Sequence, residues 1–145
     1  MKGPIDRFIR PLVSFMNEAG IETVGSCHGH LSDGKEPYIY FKAEVWLAAE
    51  ISRVLHGELL RAKQTLNFYW VVTGHFNDCG ELLFRLSSPS LVKLANSLCH
   101  LFTVRHTRRR INADLFRLQE IVQKALLANP HEHNRYRDCS GNDHD

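Results

Sequence analysis

The runs Asn67-Phe68-Tyr69-Trp70-Val71-Val72-Thr73 and Glu81-Leu82-Leu83-Phe84-Arg85-Leu86 decide the fold. The first is aromatic and β-branched, the composition that a pleated, half-buried surface favours. The second sets Leu82, Phe84 and Leu86 on one side and Leu83 and Arg85 on the other, the two-residue period of a strand. Gly74 to Gly80 joins them, so the spacing predicts a β-hairpin.

Upstream, Glu22 to Val24 reads as a short strand and Pro37 to Lys42 as another, with Tyr38 and Tyr40 facing one way and Ile39 and Phe41 the other. Ile5, Phe8, Ile9, Leu12, Val13 and Met16 recur in steps of three and four, which predicts a helix stopped at Gly20 by a left-handed turn. Pro11 either kinks that helix or opens a shorter one, because it lacks an N–H and disfavours helix at Arg10. Ala43 to about Ala62 reads as a second helix burying Leu47, Ile51, Val54, Leu55 and Leu59, with Gly57 a weak point.

Beyond the hairpin, Ser88 caps a third helix with Pro89 in its first turn and Leu91, Leu94, Leu98 and Leu101 along its stripe. Ile111, Leu115, Leu118, Val122 and Ala125 mark a final helix. The order helix, strand, strand, helix, strand, strand and then the two last helices divides into two similar halves, each adding a hairpin. The expected class is α+β: a single, mainly antiparallel sheet of about four strands with helices packed on one face. Residues 1–129 form one domain, and residues 130–145, which lack any apolar period, a flexible tail.

The totals bound the function. A chain of 145 residues buries enough surface for a core without staples. Its longest apolar run is far short of a transmembrane span, and Asp6 and Arg7 interrupt any secretory signal core. Cys27, Cys79, Cys99 and Cys139 are sparse and irregular, as thiols of a reducing compartment are. The chain is therefore expected to be cytoplasmic, with no membrane partner. A net charge of +2 gives no general nucleic-acid footprint. The local exception is the basic stretch Arg105 to Arg110, which marks a solvated helix junction or an adaptor surface for phosphates.

Chemistry concentrates in Gly25-Ser26-Cys27-His28-Gly29-His30, a turn leaving a strand. Gly25 and Gly29 permit positive dihedrals or close backbone approach. Three readings stand side by side. Cys27, His28 and His30 bind zinc or a similar metal, with His75 or Cys79 completing the set, although C-H-x-H matches no standard zinc knuckle. Alternatively, Cys27 is a thiolate activated by a histidine. In the third reading, Cys27 is a small core residue and the histidines make turn hydrogen bonds. Tail residues His131, His133, Cys139 and His144 are incidental, because closing a floppy segment on a metal costs entropy.

Asn17 to His30 resembles a motif of small bacterial and phage proteins with a G-I-x-T-x-x-S-C-x-G-H core. It is distantly similar to the tRNA wybutosine-synthesis methyltransferase family of the third-enzyme type, which carries T-x-S-C-x-G-R after an initial helix. Trp70-Val71-Val72-Thr73-Gly74-His75 and the strand Glu81 to Leu86 resemble the same family's tryptophan strand and histidine, so the likeness spans about half of the chain. It implies a compact α+β fold, a site lined by Ser26, Cys27, Gly29 and His75, and S-adenosylmethionine as cofactor. His30 stands where that family has Arg, a helix from Ala43 interrupts the middle, and the later glycine-rich segment is missing.

The expectation is a small, pocket-bearing, ligand-binding protein. Ser26, Cys27, His28, Gly29, His30 and His75 form the polar end of the pocket, against aromatic walls from Tyr38, Tyr40 or Trp70. Its ligand is a small molecule or nucleotide. The alternatives are adenosylmethionine-dependent modification of a nucleotide or RNA, and a nucleic-acid adaptor using Arg105 to Arg110.

Overall fold

The alternation of Ile39 and Phe41 with Tyr38 and Tyr40 sets the sheet. The computed structural model of the chain describes residues 5–95 and 100–128. Within it, Tyr38–Lys42 is a strand (β2) that buries Ile39 and Phe41 and leaves Tyr38, Tyr40 and Lys42 half-buried. The other strands are β1 (Glu22–Cys27), β3 (Val71–Phe76) and β4 (Leu82–Ser87), arranged β1-β2-β4-β3 with every pair antiparallel. Each half of the chain thus contributes two neighbouring strands, and β2 and β4 meet at the centre. There Ile39 lies opposite Leu86 and Phe41 opposite Phe84, with ring centroids 5.8 Å apart.

The helices are α1 (Arg10–Glu18), α2 (Val45–Leu59), α3 (Ser90–Ala95) and α4 (His100–Leu127). Leu12 and Met16 of α1, Leu47 and Ile51 of α2, and Ile111 and Leu118 of α4 enter one buried cluster with Ile39, Phe41 and Leu86. Each such side chain contributes roughly 1.5–3 kcal/mol on leaving water. The opposite face of the sheet carries Tyr38, Tyr40, Arg85 and Thr73. No helix among the described residues is long and apolar enough to cross a membrane.

Pro11 takes the second of its two expected roles and sits in the first turn of a short α1. The buried stripe accordingly begins at Ile9, while Ile5 and Phe8, expected on it, are exposed. The helix ends in a Schellman motif: Gly20, at φ +83°, donates its N–H to Asn17 O, and Ile21 donates to Met16 O. Asn17 then clasps β1, donating Nδ2–H to Thr23 Oγ1 at 2.8 Å and accepting the Thr23 N–H at 3.0 Å.

Several boundaries differ from the expected ones. Strand β1 continues through Gly25, Ser26 and Cys27, which were assigned to the loop, with a register shift between Thr23 and Gly25. Helix α2 runs Val45–Leu59, leaving Leu59 exposed and burying two carboxylates, Glu50 and Glu58. The basic stretch is no junction, since it lies inside the continuous α4. The Ser88 hydroxyl, expected to cap α3, donates to Tyr69 O at 2.7 Å. Leu98, the tail 130–145 and the side chains of Leu94 and Leu101 lie outside the described residues.

The largest departure is Asn67 to Trp70, β-prone residues that do not join the sheet, because a buried carboxylate on α4 captures them. Asp114 is fully buried, and its Oδ1 accepts the Asn67 N–H at 2.8 Å and Asn67 Nδ2–H at 2.9 Å. Its Oδ2 accepts the Phe68 N–H at 3.0 Å and the Trp70 indole N–H at 2.9 Å. Arg110, one turn earlier, lies 4.9 Å from the Phe68 ring centroid and donates to Asn67 Oδ1 at 3.2 Å. Trp70, expected as a wall of the pocket at the Ser26 to His30 loop, is buried here beside residues 67–69.

Asp114→Ala would strand several buried donors and is expected to cost about 3 kcal/mol or more, read as a fall in the urea midpoint of unfolding. Asp114→Asn should recover little, because its amide sets a donor against donors. Leu118 is 1% exposed, and Leu118→Ala should cost about 2 to 5 kcal/mol in the same measurement.

Candidate functional site

The end of β1 and the turn after it form the candidate site, and three distant segments hold it in shape. Gly29 has φ +86°, and a Cβ built there would lie 2.8 Å from Pro37 N and 2.9 Å from its Cδ. Only glycine fits both the left-handed backbone and the close approach. Gly25 meets no such demand; it lies in the strand with open space around it. A bridge between His30 and Lys35 and a short 3-10 turn at Leu31–Asp33 bring the chain back to Pro37.

From α4, Arg108 closes over this turn, donating from its two terminal nitrogens to His28 O and Gly29 O, each at 2.6 Å. Burial pulls its guanidinium below the ordinary arginine value, while the nearby Cys27 and Asp6 act in the opposite direction. From the segment before α1, Asp6 turns its carboxylate to the same place. Its Oδ2 lies 2.5 Å from His28 Nδ1, a nitrogen shielded from solvent, without the alignment of a hydrogen bond. The His28 N–H also donates to Oδ2, at 3.4 Å. The contact with the His28 side chain holds the Asp6 carboxyl below the usual range, against the opposing effect of burial.

The outcome is a mixed donor set. One ligand-capable atom from each of Asp6, Cys27 and His30 lies within 4.8 Å of the others. The Gly29 N–H donates to Cys27 Sγ at 3.3 Å and orients the sulfur. His28, expected as a ligand alongside Cys27 and His30, instead packs edge-on to His30, with centroids 5.3 Å apart, and braces Asp6. Asp6 replaces it in the set. Local spacing did not reveal Asp6, because it lies 21 residues from Cys27 and arrives through the turn that precedes α1.

His75 does not converge on this loop. It lies on β3, separated from β1 by β2 and β4, so its strand is about 14 Å away by strand spacing. There its Nε2 meets Thr73 Oγ1 at 2.9 Å, and its ring faces Tyr40 at 5.9 Å. Cys79, the other expected fourth ligand, is exposed in the hairpin turn. Ser26 is half-buried within β1, opposite Ile39.

Tyr38, opposite Cys27 in register, and Tyr40 lie on the sheet face that no helix of the described residues covers, 5.3 Å apart and beneath Arg85, which pairs with Glu36 at 2.5 Å. The two clefts described lie elsewhere. One of about 200 Å³ is bounded by Leu55, Leu66, Phe68 and Trp70, and a wider one by Glu50, Arg53, Arg61 and Lys124. The basic stretch is divided between duties: Arg108 is half-buried on the turn, Arg110 bonds Asn67 from an exposed position, and Arg105 and Arg109 are exposed.

No family model, curated protein or solved structure matches the chain.

Gly29→Ala should displace the turn from Pro37 and destabilise the fold by about 1 kcal/mol or more, while Gly25→Ala stays within about 0.5 kcal/mol, in paired thermal melts.

Proposed function

We propose that this protein binds a divalent transition-metal ion of the zinc class through Asp6, Cys27 and His30. The observation that carries this reading is the meeting of a carboxylate, a thiol and an imidazole from two separate segments within 4.8 Å. Sulfur and imidazole nitrogen are the preferred zinc donors, and a carboxylate oxygen completes a common mixture. A tetrahedral zinc site places donors about 3.5 Å apart, so closing the set moves its atoms by about 1 Å.

The surroundings favour this chemistry. His28 contacts Asp6 through Oδ2, and a partner that holds a ligating carboxylate is a usual feature of metal sites. Asp6 and a Cys27 thiolate together bring two negative charges, and Arg108 balances one without entering the set. Three protein donors leave a fourth position for water or a small anionic or carbonyl ligand. That position is the small-ligand site expected at the Ser26 to His30 loop, moved away from His75.

Isothermal titration with zinc, and cobalt(II) absorption as a report of thiolate ligation, test the reading. One zinc per chain is expected, with a sulfur-to-cobalt band that Cys27→Ser removes. Asp6→Ala and His30→Ala should each weaken binding by about 10- to 100-fold or more, and His28→Ala by about tenfold, through loss of the brace. His75→Ala should bind as the parent does. Zinc uptake below one per chain, or a cobalt band that survives Cys27→Ser, would overturn the assignment.

A further inference from the structure

The two edges of the sheet are built differently. Strand β1 carries Glu22, a register shift after Thr23 and a terminal turn covered by Arg108. Each feature discourages another strand from pairing there. Strand β3, Val71-Val72-Thr73-Gly74-His75-Phe76, has no Lys, Arg, Asp, Glu or Pro. Its ladder with β4 runs without a register shift, and Thr73, Gly74, His75 and Phe76 are exposed. Among the described residues, no backbone hydrogen bond joins β3 to anything but β4. Phe76 is 76% exposed at the end of this edge.

We infer that β3 is a pairing edge for a second copy of this chain, joining two four-stranded sheets into one across a two-fold axis at Gly74. The axis of such a pair is normal to the sheet, so residues opposite one another must share a face. Centred on Gly74, the register sets Phe76 against the partner's Val72 and His75 against the partner's Thr73. Phe76 thereby gains an apolar neighbour, and glycine stands where the two backbones cross. Centring on Thr73 would instead set Phe76 against the partner's Trp70, whose side chain is buried and committed to Asp114. The absence of charge along the strand removes the like-charge repulsion that guards most edges, which favours self-pairing over a charged partner. Six residues of edge make a small interface, so the dimer forms and dissociates with concentration.

Two double variants at the same positions test this. Thr73→Lys with His75→Lys sets lysine against lysine twice across the axis, and Thr73→Lys with His75→Glu sets lysine against glutamate twice. Both lose the Thr73–His75 hydrogen bond, so they differ only in charge sign. Sedimentation equilibrium with EDTA present, over about a hundredfold range of concentration, reads the association constant apart from any metal effect. Parent protein is expected to dimerise, the lysine–lysine variant to weaken association by about tenfold or more, and the lysine–glutamate variant to restore it. Circular dichroism melts establish that both variants fold; if lysine–lysine does not fold, the lysine–glutamate variant mixed with parent supplies the comparison, since unlike strands lose its paired charges. A parent that stays monomeric throughout, a lysine–lysine variant that associates like the parent, or a folded lysine–glutamate variant as weak as lysine–lysine would overturn the inference.

Discussion

One fully buried carboxylate, Asp114, organises this molecule. Its two oxygens accept the N–H groups of Asn67 and Phe68, the Asn67 side-chain amide and the Trp70 indole. A buried charge left bare would be costly, whereas one met by four donors is a strong and directional constraint. It fixes the chain between α2 and β3, and so the point at which β3 enters the sheet. It also fixes the rotation of α4 about its own axis, since Ile111, Leu115 and Leu118 reach the core only when Asp114 faces residues 67–70.

The candidate metal site inherits that order. Arg108 lies on the same helix and reaches the carbonyls of His28 and Gly29, so the position of α4 that Asp114 helps to set carries over to the turn. Gly29, pressed against Pro37, gives the turn its direction, and the turn in turn aims Cys27 and His30 toward Asp6. No donor of the set belongs to the far strands of the sheet. The chemistry sits at one corner, where the segment before α1, the end of β1 and α4 converge, and the sheet face with Tyr38, Tyr40 and Arg85 extends from it.

Periodic features were legible in the sequence. The apolar stripes of α1, α2 and α4, the alternation in β2 and β4, and the left-handed stop at Gly20 follow from local spacing, and they suffice for the α+β class. The loop from Cys27 to His30 stood out by composition. Long-range contacts that leave no periodic trace were hidden. Asp114 interrupts an apolar stripe as any exposed acid would, and its partners lie 44 to 47 residues away. The strong β character of Asn67 to Trp70 was misleading for the same reason, because capture by Asp114 outweighs propensity. Asp6 sat in a stretch with no motif of its own, and His75 was drawn toward the loop although two intervening strands separate them.

Helix α4 has 28 residues, about 42 Å at 1.5 Å per residue, roughly twice the reach of the strands beneath it. It is held at three stations: Arg108 on the turn, Asp114 on residues 67–70, and Lys124, which lies 3.7 Å from the buried Glu58 of α2. At about 100° per residue, the second and third stations lie roughly 240° and 160° around the axis from the first. A rod gripped from three sides at three heights has more supports than equilibrium requires. It can neither roll nor slide without loosening one grip, so the corner that holds Cys27 and the distant end of α2 behave mechanically as parts of one frame.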